Sequence, residues 1–162
     1  MKTNNLAAFC VTLLVPMMLL MNACKSAGSK EEEPLPQTTN SFGAMIDGTN
    51  WKSTKANGGI AVVGGLLSIV GSIDDINEIS IQMIGKDLKT GVDYLFEIPA
   101  KEENKMANLI YKRNGSVLFA KSGKVRFSTF SNKKIEGTFE AQVTDYINAN
   151  ADLKSGTFTI NF

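Results

Sequence analysis

The 162-residue chain has no histidine, one tryptophan and two cysteines. Lacking histidine, it has neither the side chain that most often serves as a general base near neutral pH nor the commonest zinc ligand. It also has no glycine-rich phosphate loop and no serine-nucleophile motif. The charges nearly cancel, with 17 basic and 16 acidic groups. The basic residues between Lys52 and Lys154 form no dense cluster, so neither nucleic acid nor an anionic surface is implied as a partner.

The most specific stretch lies at the N-terminus. Lys2 precedes a mostly apolar run from Leu6 to Met21, and no acidic residue occurs before Glu31. The run is shorter than the roughly 20 apolar residues of a bilayer span, and Pro16 interrupts it. Met21-Asn22-Ala23-Cys24 follows, with a small residue directly before cysteine. Together these features predict a lipoprotein signal peptide over 1–23, with Cys24 as the lipidated residue; an ordinary secretory signal or an uncleaved anchor is the competing reading. Cys10 lies inside the apolar run, so cleavage at Cys24 leaves a single cysteine carrying lipid and no internal disulfide. Two or more acyl chains at that sulfur hold firmly to a membrane, at about 0.8 kcal/mol per buried methylene.

Residues 24–40 read as the lipidated cysteine and a disordered linker. Leu35, between two prolines, is the only sizeable aliphatic side chain in the linker, too little to offset the cost of ordering. As a flexible coil it spans about 20 to 25 Å. The run Lys30-Glu31-Glu32-Glu33 is either a solvated charge run or, as it resembles the charged cluster of Bacteroidota lipoproteins, a surface-export signal; Lys25 after Cys24 fits outer-membrane sorting, so the expected location is the outer membrane, facing the cell surface or the periplasm.

Residues 41–162 are expected to form one antiparallel β-domain of about 120 residues, large enough for a core without disulfides or metals. Ile135, Phe139, Ala141 and Val143 alternate with Glu136, Thr138, Glu140 and Gln142, the pattern of a half-buried strand. Similar strands are predicted at Ile79–Met83, Tyr94–Ile98 and Phe158–Phe162, with others at 42–46, 51–56, 59–63, 66–73, 107–112, 117–121 and 124–130. Turns are predicted at Asp47-Gly48, Asn57-Gly58-Gly59, Asp74-Asp75, Asn114-Gly115, Ser122-Gly123 and Ser155-Gly156. Asn114-Gly115 has the strongest hairpin chemistry. Pro99–Met106 has helical composition and predicts at most one turn or a loop. Nine or ten short strands imply an antiparallel β-sandwich, with a small closed lipocalin-like β-barrel as the alternative.

Met45-Ile-Asp-Gly-Thr-Asn-Trp-Lys52 and the Gly-Thr-Phe triplets at Gly137–Phe139 and Gly156–Phe158 resemble a family of small uncharacterised all-β lipoproteins of Bacteroidota. The resemblance implies a strand-rich domain and an envelope location, and carries no activity.

Trp51 is either a ligand-stacking aromatic or a cover over one end of the core. Gly137 is read as room for a partner side chain, Gly156 as the turn into the last strand. Asp145, Asn148, Asn150 and Asp152 have alternating oxygen-bearing side chains that suit calcium, but lack the central glycine and terminal glutamate of a full loop; a polar hairpin loop is the simpler reading. Asp74, Asp75, Glu136 and Glu140 are the carboxylates from which paired acid–base chemistry on a glycan would be built. No catalytic residue and no cofactor beyond the covalent lipid is expected. The leading expectation is a non-enzymatic, lipid-anchored module whose partner is a protein, a glycan or a small apolar ligand; a lipocalin-like carrier and a glycan-active enzyme are the alternatives.

Overall fold

Strand β9 (Lys134–Thr144) shows why the chain folds as it does: Ile135, Phe139, Ala141 and Val143 are buried, while Thr138, Glu140 and Gln142 face solvent. A strand with this alternation needs a second apolar layer above its inner face. The computed structural model describes residues 39–60, 65–85, 87–96 and 107–162, and among these ten strands and no helix are found. The others are β1 (Ser41–Ile46), β2 (Thr49–Lys52), β3 (Lys55–Ile60), β4 (Leu66–Asp74), β5 (Asn77–Ile84), β6 (Asp93–Leu95), β7 (Ala107–Arg113), β8 (Ser116–Phe130) and β10 (Asn150–Asn161). The expected all-β, antiparallel class is therefore observed. Pro99–Met106, the signal stretch 1–23 and Cys24 lie outside the described residues.

One antiparallel sheet contains all ten strands, in the order β2-β1-β10-β9-β8-β7-β5-β4-β3, with β6 paired to the second half of β8. The strands at its two ends, β2 and β3, are consecutive in the chain. Ser53 N–H donates to Phe42 O on β1, and Thr54 N–H donates to Ser72 O on β4. The chain thus changes neighbours at this dipeptide, and the sheet curls back to its own start as a barrel-like wall. Its opposite sides pack as two layers of one continuous sheet, a form that shares features of the sandwich and of the barrel.

Fully buried phenylalanines occupy the middle. Phe42 lies 5.2 Å from Phe139 and 6.2 Å from Phe158, and Phe127 lies 5.8 Å from both Phe158 and Tyr94. Burying one such side chain contributes about 1.5 to 3 kcal/mol. The two Gly-Thr-Phe triplets are direct neighbours, with Gly156 opposite Phe139 and Phe158 opposite Gly137. A Cβ at Gly156 would sit 2.5 Å from the Phe139 ring, and one at Gly137 would sit 2.5 Å from Phe158 Cζ. Each glycine therefore leaves the space its neighbour's ring fills, as expected for Gly137.

Three expected turns are strand instead. Gly156 lies inside β10, where one extra residue around Ser155 (φ 51°) shifts the register against both β9 and β1. Inward positions change from odd (Ala151, Leu153) to even (Phe158, Ile160), which is what one inserted residue does to a period of two. At Ser122-Gly123 the same event occurs in β8, whose buried positions change from Leu118 and Ala120 to Val125 and Phe127. Gly123 (φ 124°) is required there, since a Cβ would meet Glu140 O at 2.1 Å. Asn57-Gly58-Gly59 runs straight through β3, and Gly58 faces Ile160. Asp47-Gly48 and Asn114-Gly115 do turn, each with positive φ at both residues.

The strands give the barrel two distinct ends. At one, Asn40 takes the N–H of Asn161 (2.8 Å) and donates to Ala56 O (3.1 Å), so the start of β1 and the end of β10 lie together. At the other lie the turns β1–β2, β4–β5, β7–β8 and β9–β10. These are tied by Asp47 N–H to Asp152 O and by Gly115 N–H to Ile76 O, both 3.0 Å.

Candidate functional site

Between the irregularity at Ser122-Gly123 and a second register shift at residues 127–129, the even-numbered residues of β8 point outward, and beyond the bulge in β10 odd-numbered ones do. The ladder therefore sets Arg126 beside Asp93 on one side and Thr138 on the other, with Thr157 next to Thr138. Lys124 lies opposite Glu140. These six residues line an open outer groove of about 470 Å³.

The charges in this groove address one another. Asp93 accepts from Arg126 Nε and lies 3.3 Å from Lys124 Nζ, which is 3.7 Å from Glu140. The Arg126 hydrogen bond, aided by Lys124, holds the Asp93 carboxyl below its ordinary value of 3.8. Asp93 and Glu140 thus converge on one ammonium. Glycoside hydrolysis needs one carboxyl that keeps its proton near neutral pH, and Asp93 is driven the opposite way. What the groove offers is a set of donors and acceptors on an exposed face.

The acids singled out from the sequence are dispersed. Asp74 closes the β4–β5 turn, accepting from Ile76 N–H (2.9 Å) and from the Asn77 side chain (3.0 Å); the Asn77 bond leads in holding its pKa down. Asp75 is exposed in the same turn. Glu136 bonds Lys134 and Thr129, and the Lys134 contact leads in lowering its pKa. Along β9, Glu136 and Glu140 are roughly 13 Å apart at about 3.3 Å per residue. Trp51 is half-buried and meets Phe42 edge-on, with centroids 6.1 Å apart, so its ring covers the margin of the core. Burial pushes the Tyr111 phenol above its ordinary 10.0.

The four residues read as calcium ligands occupy the β9–β10 connection and the strand after it. Asp145 Oδ1 accepts from the backbone N–H groups of Ile147, Asn148 and Ala149 at 2.8 to 2.9 Å. These bonds, Ile147 first, lower its pKa. Asn148 is exposed; Asn150 and Asp152 belong to β10, and Asp152 lies 3.9 Å from Lys154. Among the described residues, no three Asp, Glu, Cys or His side chains group as a metal site.

That connection also carries a strained, exposed aromatic residue. Tyr146 has a φ of 63°, unusual for an aromatic residue and costing of order 1 to 3 kcal/mol. Its N–H is taken by Thr144 Oγ1 at 2.9 Å. The loop so held leaves Tyr146 63% and Ile147 81% exposed. Adjacent large apolar residues inside a polar loop were the available signal. Phe119, also exposed, pairs with Thr144 at the root of the loop. The Asp93 side of the groove was hidden because it needs the long-range pairing of β6 with β8.

No family model, curated protein or solved structure matches the chain.

Proposed function

We propose that the chain is a lipid-anchored lipoprotein of the outer membrane, held through Cys24, whose β-domain is a non-enzymatic interaction module. The observation that carries this reading is the polarity of the barrel. The chain enters at Asn40, at the end shared with the C-terminal strand end, while four turns gather at the opposite end. The proposed tether therefore joins the domain at the end opposite the four turns.

Two further observations favour a module over the alternatives. A carrier needs an open interior, and the rings of Phe42, Phe127, Phe139 and Phe158 occupy the middle of this one. A glycan-active enzyme needs a protonated carboxyl, and the convergent pair in the outer groove is built around a lysine with Asp93 held ionised.

Metabolic labelling with a palmitate analogue, comparing wild type with Cys24→Ala, tests the anchor. Label on the wild type alone is expected, and equal label on both would overturn the lipoprotein reading. Protease shaving then assigns the facing: digestion on intact cells means surface display, and digestion only after lysis means the periplasm.

A further inference from the structure

We infer that the turn end of the barrel is a docking surface, with Tyr146 and Ile147 as its apolar finger, for a protein partner that offers an apolar cleft with a basic rim. This deepens the interaction-module reading and rests on it. The finger combines three properties that a passive loop does not need together. It exposes two consecutive large apolar side chains, 63% and 81% accessible. It holds Tyr146 in a disfavoured backbone conformation. And it is ordered in advance by three N–H groups on one Asp145 oxygen and a fourth on Thr144. Order set before contact lowers the entropic cost of binding, and tyrosine is enriched among the residues that dominate interface energies.

Charge identifies the occupant. Asp47, Asp74, Asp75 and Asp145 sit in or directly beside residues 47–48, 75–76, 114–115 and 145–149, against Arg113 as the one lysine or arginine in or directly beside them. Arg113, the cation at the end of β7, is paired with Asp47 at 3.6 Å. At the opposite end Lys133 lies in the β8–β9 turn and Lys134 opens β9. An anionic lipid surface would be repelled by the turn end, and a second copy docking there would set acid against acid. A protein cleft rimmed by lysine or arginine satisfies both the finger and its surroundings.

The test is photo-crosslinking of the full-length protein in its native cells. A benzophenone amino acid is placed at Ile147 and, separately, at Thr138 in the outer groove. The expected result is a discrete protein adduct from position 147 and little from 138. In the 147 background, Asn148→Lys should lower the yield about tenfold by setting like charges together, while Asn148→Asp retains it. Asn148 is exposed, and a thermal melt confirms that both variants fold. Equal yields from the two variants would overturn the basic rim. An adduct of twice the chain's mass would mean a second copy and overturn the basic-rimmed partner, and a gain of one lipid molecule's mass on the peptide carrying position 147 would overturn a protein occupant. Crosslinking from 138 but not 147 would overturn the docking surface and leave the module reading standing, and none from either would overturn both.

Discussion

The reciprocal glycine–phenylalanine contacts between β9 and β10 and the Asp145 loop joining those two strands are neighbours in sequence but are held by different forces. In the wall, Gly137 and Gly156 leave space that Phe158 and Phe139 fill, so the contact is one of shape. In the loop, a carboxylate and a hydroxyl gather four backbone N–H groups, and the side chains carried are left in solvent. The difference separates what stabilises the domain from what it presents.

The largest effect that could break this comparison is on stability. Phe127, fully buried among Tyr94, Phe130 and Phe158, should cost about 3 to 5 kcal/mol when changed to alanine. Ile147→Ser should change stability by less than about 0.5 kcal/mol. Urea unfolding of both variants measures the contrast, and comparable losses would mean that the finger is part of the core.

A smaller effect separates the regions by pH. The carboxyls of Asp74, Asp145 and Glu136 are held below their ordinary values by hydrogen bonds and, for Glu136, by Lys134. A depressed folded pKa contributes stability that is present above the unfolded value and lost as pH falls through the folded one. These surface bonds should therefore weaken progressively below about pH 4. Tyr111, with its pKa raised by burial, has the opposite sign: its contribution is complete below the unfolded value and lost as pH rises through the folded one. Urea midpoints against pH should fall at both extremes, and Tyr111→Phe should flatten the alkaline fall alone.

The same contrast explains what could be read in advance. The alternation of Ile135 to Val143 was legible because β9 keeps one parity throughout, and Asn114-Gly115 because its turn is local chemistry. In β8 and β10 an inserted residue reverses the parity midway, and glycine at Gly123 or Gly156 then looks like a turn when it is a point of close approach. The chain's bend at Ser53–Thr54 has no glycine or proline to announce it; it follows from which strands the two residues bond. For the site, Glu140 and Asp145 stood out as acids. Lys124, which Glu140 shares with Asp93, and the loop's own N–H groups around Asp145 come from pairings and turns that spacing does not reveal. Tyr146 and Ile147 were legible only as adjacent apolar residues in a polar stretch; their exposure follows from the hydrogen bonds to Asp145 and Thr144 that shape the loop.

Amide hydrogen exchange at single-residue resolution, on wild type and Asp145→Ala at neutral pH, tests most directly whether one carboxylate orders the finger independently of the wall. Ile147, Asn148 and Ala149 are expected to lose protection in the variant while Phe139, Ala141 and Val143 keep theirs. Unchanged protection at the three loop amides, or a loss spread along β9 and β10, would contradict it.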